Sequence, residues 1–271
     1  MIHRRLFVGT GWKMNKTVAE AVQYLTHLQA ILPAWRETGD IQAFIIPPFT
    51  AIETVKRMSP PQVWVGAQNM HWAEAGAYTG EISAPMLREL GVDLVEIGHA
   101  ERRRDFGEVD ALVNLKVLMA LRYGMRPLIC VGEQSDDVRW GVQEETVARQ
   151  LKIAVHGVAP DNASRLLIAY EPTWAIGDRG IPASPEEIKP VMAVIREILA
   201  EVFGAQAADS IPVLYGGTVN PGNARSIVDV GGADGLFVGR CAWQPEGFAD
   251  VIRACLGIMA DWRNEQGVGA G

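Results

Sequence analysis

Cysteine is scarce in this chain. Cys130, Cys241 and Cys255 are its only 3. An odd number, with no Cys two residues from another and none at metal-ligand spacing from a His, excludes a disulfide framework and gives no metal signal. All three sit in apolar runs and read as small buried hydrophobes in a reducing, cytoplasmic compartment. Long hydrophobic runs are missing too. No stretch approaches the roughly 18 apolar residues of a spanning helix, so no membrane partner is expected. Met1 to Val8 carries two Arg and a short apolar run, too little for a signal peptide. Positive charge is in deficit, with 25 Lys and Arg against 32 Asp and Glu and a net charge of −7. The basic residues are dispersed, and Arg102-Arg103-Arg104 is followed by Asp105. A nucleic-acid partner would ask for a basic stripe. A small anion would not, because it responds to local donors.

The 271 residues are 48% hydrophobic and 21% charged, as in an ordinary globular protein. Short apolar, β-branched runs alternate with longer amphipathic ones. Leu6–Trp12, Ala43–Pro47, Val63–Gln68, Leu94–His99, Pro127–Glu133, Leu166–Glu171, Val213–Gly217 and Gly235–Gly239 read as strands. Each is almost continuously apolar, which predicts burial on both faces and hence a parallel sheet. About eight such strands, each followed by helical periodicity, predict an α/β fold, a single-domain (β/α)8 barrel over 1–264 with a Gly-rich, frayed tail at 265–271. A doubly wound open sheet is the competitor, but no G-x-G-x-x-G turn opens the first helix. Helix starts are explicit. Thr17-Val18-Ala19-Glu20 is a capping box before a helix ending near Leu32-Pro33. Ser184-Pro185-Glu186-Glu187 opens a helix running to about Phe203-Gly204, and Leu112–Tyr123 precedes the cap residue Gly124.

In such a barrel the chemistry sits at the C-terminal strand ends. That rule selects Lys13, His99, Glu101, Glu171, Gly216-Gly217-Thr218 and Gly239-Arg240. Taken singly, each has a bland reading: a solvated Lys, a structural His, a strand exit, a turn. Together they place a cation, an imidazole, a carboxylate and two glycine turns on one rim. A carboxylate can take a proton from carbon beside a carbonyl. An imidazole and an ammonium can stabilise the enediolate oxygen, and glycine turns can offer N–H groups to phosphate. The chemistry is isomerisation of a small phosphorylated ketose, with no cofactor and no metal.

The residues also resemble a known family. Trp12-Lys13-Met14-Asn15, Gly66-Ala67-Gln68-Asn69, Thr79-Gly80-Glu81-Ile82-Ser83, Gly98-His99, Glu101-Arg102-Arg103, Phe106-Gly107-Glu108, Ala169-Tyr170-Glu171-Pro172, Trp174-Ala175-Ile176-Gly177 and Tyr215-Gly216-Gly217 are similar, in order, to triosephosphate isomerase. That enzyme is itself a known case of a carboxylate base beside a neutral imidazole under a closing lid. The resemblance implies a TIM barrel with Glu171 as base, His99 as electrophile and Lys13 as the cation that holds the substrate. Glu101 would orient Lys13. Pro172 to about Ala183 would form the lid, including Trp174, Ile176, Gly180 and Pro182, with Gly177 offering an amide to phosphate. Thr218 and Gly239 fall where the other phosphate donors lie. The segment Gln68 to Ser83 resembles the loop that enters a partner subunit, which implies a homodimer with Thr79 reaching the neighbouring site.

The departures are grouped in the site. Gly11 stands where the family has an active-site asparagine, so a donor is missing and volume is opened. Ala100 replaces a serine. Asp178-Arg179-Gly180-Ile181-Pro182 replaces the usual lid tip. Pro182 has no N–H to give Tyr215. Arg240 replaces a glycine of the phosphate turn. Gly9-Thr10, Asn69-Met70-His71-Trp72, Gly180-Ile181-Pro182-Ala183-Ser184 and Gly239-Arg240-Cys241-Ala242-Trp243 resemble the branch called L-erythrulose-1-phosphate isomerase, whose reaction yields D-erythrulose 4-phosphate and belongs to tetritol catabolism. An ordinary glycolytic triosephosphate isomerase is the alternative, and a non-catalytic sugar-phosphate binder is the third reading.

Overall fold

The computed structural model describes residues 5–32, 40–176 and 180–265. Gly177 and the tail beyond 265 therefore lie outside the described residues. Eight strands are present: β1 (Leu6–Gly11), β2 (Ile41–Ile46), β3 (Trp64–Ala67), β4 (Leu94–Ile97), β5 (Arg126–Val131), β6 (Leu167–Tyr170), β7 (Val213–Tyr215) and β8 (Gly235–Val238). Each pairs in parallel with the next, and β8 pairs with β1, which closes the barrel. The expected (β/α)8 TIM barrel is what the chain forms. No helix among the described residues is long and apolar enough to cross a membrane.

Alternation along each strand separates two cores. Phe44, Leu94, Leu128, Leu167, Leu214 and Phe237 pack inside the barrel. Residues of the opposite phase, such as Val95 and Ile97, pack outward against the helices. Inside, Phe44 stacks on Phe237 with centroids 5.8 Å apart. It lies so close to β1 that a Cβ on Gly9 would stand 2.0 Å from its ring. Glycine is required there to let the aromatic pair fill the barrel.

Among the described residues the helices are α1 (Val18–Ile31), α2 (Ile52–Met58), α3 (Ala84–Glu89), α4 (Ala100–Phe106), α5 (Asp110–Arg122), α6 (Ser135–Trp140), α7 (Gln143–Ala154), α8 (Pro185–Phe203), α9 (Ala205–Ala208), α10 (Ala224–Asp229) and α11 (Pro245–Glu265). The predicted capping box of Thr17 with Glu20 forms, and the predicted helix start at Ser184 closes a capping box with Glu187 as well. Gly124 follows α5 at φ 76°. The predicted strands overrun the observed ones mainly at their C-terminal ends. Trp12, Gln68, His99, Glu133, Glu171, Gly217 and Gly239 all lie beyond the last paired residue. There the chain leaves the ladder to form the rim, and an apolar or glycine-rich run does not mark that exit. At the other end, β2 begins two residues early. Its polar Gln42 is buried because Nε2 donates to the Gln62 carbonyl at 2.8 Å.

One buried ionic cluster ties the rim to the scaffold. Lys116 on α5 donates to Glu108 Oε2 at 2.6 Å and to Asn69 Oδ1 at 2.8 Å. Glu108 also accepts from Arg102 Nε at 2.8 Å and from the Gly98 N–H at 3.0 Å. Burial raises the Glu108 carboxyl, but Lys116 and Arg102 outweigh it and hold the group below its ordinary range. The cluster fixes the backbone just before His99. Removing one partner of a buried pair leaves an uncompensated charge. Lys116→Met is expected to lower the unfolding free energy by about 3–5 kcal/mol in urea titration. A loss under about 1 kcal/mol would show that the cluster does not hold this corner.

Candidate active site

The C-terminal strand ends open onto a cavity of about 510 Å³. Its walls include Gly11, Lys13, Glu96, His99, Glu101, Glu171, Thr218, Gly239 and Arg240. Ile176 and Gly180 of the lid segment also reach it. Most of the residues selected from the sequence are thus brought to one place. Pro172, Trp174, Pro182 and Tyr215 are not cavity-lining.

Glu171 follows β6 and is 2% exposed. Two glycines make room for it. A Cβ on Gly132 would stand 1.9 Å from the Glu171 carbonyl oxygen, and one on Gly216 would stand 2.8 Å from its Cγ. Glu171 Oε2 is buried and makes no hydrogen bond. An unpartnered carboxylate oxygen is expensive to bury. Here it faces His99 Nε2 at 3.8 Å. His99 caps the short helix α4 (Ala100–Phe106), its Nδ1 accepting the Glu101 N–H at 3.1 Å. A nitrogen that accepts carries no proton, so the ring is neutral and its proton sits on Nε2. Lys13 is held in the left-handed region at φ 52°. Its carbonyl accepts from Gln68 Nε2 at 2.8 Å, and its Nζ donates to Glu101 Oε1 at 2.7 Å. Burial raises the Glu101 carboxyl, but the Lys13 bond and charge prevail and its pKa is lowered. Gln68, expected in a partner-entering loop, thus has a role within its own chain. Thr79 is exposed and is not cavity-lining.

The start of the segment expected to form the lid is anchored. Glu133 Oε1 accepts from Trp174 Nε1 at 2.7 Å and from the Tyr170 hydroxyl at 3.0 Å, and the Glu133 carbonyl accepts from Thr173. Thr218 Oγ1 donates to the Ala175 carbonyl at 2.7 Å. Tyr215 packs its hydroxyl over Gly217, where a Cβ would stand 2.1 Å away. Burial pushes that hydroxyl up and the Ala183 N–H pulls it down, although the oxygen makes no fully formed hydrogen bond. Ala183 is the first N–H donor after Pro182 in the chain.

Sequence reasoning missed Glu96, Phe237, Asn220 and Glu133. Glu96 carried a signal. In Leu94-Val95-Glu96-Ile97 it shares the inward phase of Leu94, and a carboxylate pointing into a barrel is out of place unless it has work there. It is 6% exposed, with Oε1 3.9 Å from His99 Nε2. Ligand-type atoms of Glu96, His99 and Glu171 lie within 4.8 Å of one another, a spacing that could accept a divalent cation. Burial raises the Glu96 carboxyl to about 7; Glu171 and Glu101 add to this, while His99 and Lys13 oppose it.

An acid raised on folding stabilises the fold fully below its unfolded value of 4.5 and loses that contribution as pH rises through about 7. Glu96→Gln has no such proton to lose. Its unfolding free energy relative to the parent is therefore expected to rise between pH 5 and pH 8. An equal difference at both pH values would contradict the burial argument.

Comparison with known proteins agrees with this geometry. The family model for triosephosphate isomerase matches residues 6–255. The chain is 49% identical over 248 residues to an L-erythrulose-1-phosphate isomerase of Mesorhizobium japonicum, covering 91% of this chain and 95% of that protein. Proteins of the same name from Rhizobium rhizogenes and Brucella abortus are 46% and 45% identical over 253 residues. Each alignment covers 93% of this chain, with 95% and 96% of the respective relative. With a closed eight-stranded barrel, a carboxylate, imidazole and ammonium on one rim, and a match over nearly its whole length, the chain belongs to the triosephosphate isomerase family.

Proposed function

We propose that this chain is a cofactor-independent sugar-phosphate isomerase that converts L-erythrulose 1-phosphate to D-erythrulose 4-phosphate. The observation that carries the reading is Gly11. It lines the same cavity as Glu171 and His99 without the side chain the family carries there, and the curated relatives cited above bear this substrate's name.

The geometry supports the following chemistry. Glu171 takes the proton from C3 of the ketose. The C–H electrons form the C2–C3 double bond, and charge moves onto the C2 oxygen. The Nε2 proton of His99 passes to that oxygen, and the imidazole recovers a proton from the C3 hydroxyl. Glu171 then returns its proton to C2, leaving the carbonyl on C3. Atoms and electrons balance, so no oxidant or cofactor enters. Lys13, oriented by Glu101, offsets the enediolate charge. The phosphate is held by the Thr218 and Gly239 turns, with Arg240 adding a cation and the segment carrying Ile176 and Gly180 as the lid. The segment with Thr79 and Gln68 docks on a second copy, giving a homodimer.

In steady-state assays kcat/KM for L-erythrulose 1-phosphate is expected to exceed that for dihydroxyacetone phosphate by at least about tenfold; the reverse order would overturn the substrate assignment. Solvent deuterium exchange into substrate is expected to fall by about 10²–10⁴-fold in Glu171→Gln. Exchange that persists would remove Glu171 from the proton transfer.

A further inference from the structure

Glu96 takes no part in the proton transfer described above, yet it lines the reaction cavity. It lies within β4, below the rim, on the inward phase of the strand. It accepts no hydrogen bond among the described residues, and its nearest ionic neighbour is the His99 Nε2 at 3.9 Å. A carboxyl so deeply buried without a protein partner is costly. It is rational if a ligand group completes it.

The neighbours of Glu96 define what that group is. A Cβ on Gly11 would stand 3.7 Å from Glu96 Oε2 and 3.1 Å from Phe237 Cζ. The phenyl ring thus takes up part of the space that an asparagine side chain at position 11 would need, and the carboxyl borders the rest. The missing side chain on β1, the carboxyl on β4 and the ring on β8 are one coupled arrangement. It removes an amide from the cavity wall and puts a carboxyl beside that position. In the substrate the chain runs phosphate, C1, C2, C3, C4. With phosphate on the Thr218 and Gly239 turns and C2–C3 between Glu171 and His99, as proposed above, the terminal hydroxymethyl C4 extends away from the phosphate past His99, and Glu96 Oε1 lies 3.9 Å from the His99 Nε2. That hydroxymethyl is what a four-carbon ketose phosphate has and a three-carbon one lacks.

We propose that Glu96 is the specificity-determining residue of this site: its carboxyl, beside Gly11 in the cavity wall, hydrogen-bonds the C4 hydroxyl of the tetrulose phosphate. This rests on the substrate reading above. A hydroxyl both donates and accepts, and so does a protonated carboxyl. Burial raises the Glu96 carboxyl; of the charged groups facing it, Glu171 and Glu101 add to this while His99 and Lys13 oppose it.

The test compares L-erythrulose 1-phosphate with dihydroxyacetone phosphate in Glu96→Leu and Glu96→Gln, using inhibition by inorganic phosphate to verify an intact anion pocket. A buried polar partner left unmatched discriminates strongly. In Glu96→Leu the ratio of the two kcat/KM values is expected to fall at least about tenfold, through loss on the tetrulose phosphate, while phosphate inhibition stays within about twofold. Glu96→Gln, which keeps a donor and an acceptor, is expected to recover most of the ratio. Should Glu96→Leu fail to fold, Glu96→Ala repeats the test without added bulk. Equal loss on both substrates would show that Glu96 acts only by positioning His99, and an unchanged ratio would show no contact with C4; either overturns the proposal. A parent enzyme inactive on L-erythrulose 1-phosphate but active on dihydroxyacetone phosphate would instead overturn the substrate reading itself.

Discussion

The Nε2 nitrogen of His99 stands between two buried carboxylates, 3.8 Å from Glu171 and 3.9 Å from Glu96. The rest of the site depends on that crowding. The imidazole stays neutral because Nδ1 is committed as an acceptor to the Glu101 N–H. Its one proton is thereby aimed into the cavity. A protonated ring would form ion pairs with its neighbours and no longer serve as a poised donor. The supporting structure serves this arrangement: Glu108 grips the Gly98 N–H, and Lys116 and Arg102 compensate the Glu108 charge.

The barrel explains how so much acid gathers in one place. Parallel strands deliver their C-terminal ends to a common rim, and their inward phase delivers side chains to a common floor. Residues distant in sequence, such as Gly11, Glu96 and Phe237, become neighbours. A net charge of −7 therefore says little about an anionic ligand. Lys13, with Glu101 as its partner, and Arg240 line the pocket whatever the total charge.

Legibility followed the same division. Eight apolar runs and their capping signals were readable because they depend on local patterns. Lys13, His99 and Glu171 were readable because they sit at strand exits beside recognisable motifs. The exits themselves were misplaced, because Trp12 or Gly217 continues the run in sequence while leaving the ladder in space. Glu96 was passed over although Leu-Val-Glu-Ile displays it, since a single acid in a strand gains meaning only when the opposite side of the barrel is known. The two glycines at 216 and 217 were read as phosphate donors. Their closest contacts are clearance for the Glu171 side chain and for the Tyr215 hydroxyl, and that follows only from packing.

The central claim is that His99 presents a neutral ring with its proton on Nε2. Nitrogen-15 NMR of the histidine-labelled protein reads this directly at neutral pH. The account predicts for His99 one pyrrole-type Nε2 shift with an attached proton and one pyridine-type Nδ1 shift without. Two protonated nitrogens, the signature of an imidazolium, or a proton on Nδ1 would contradict it.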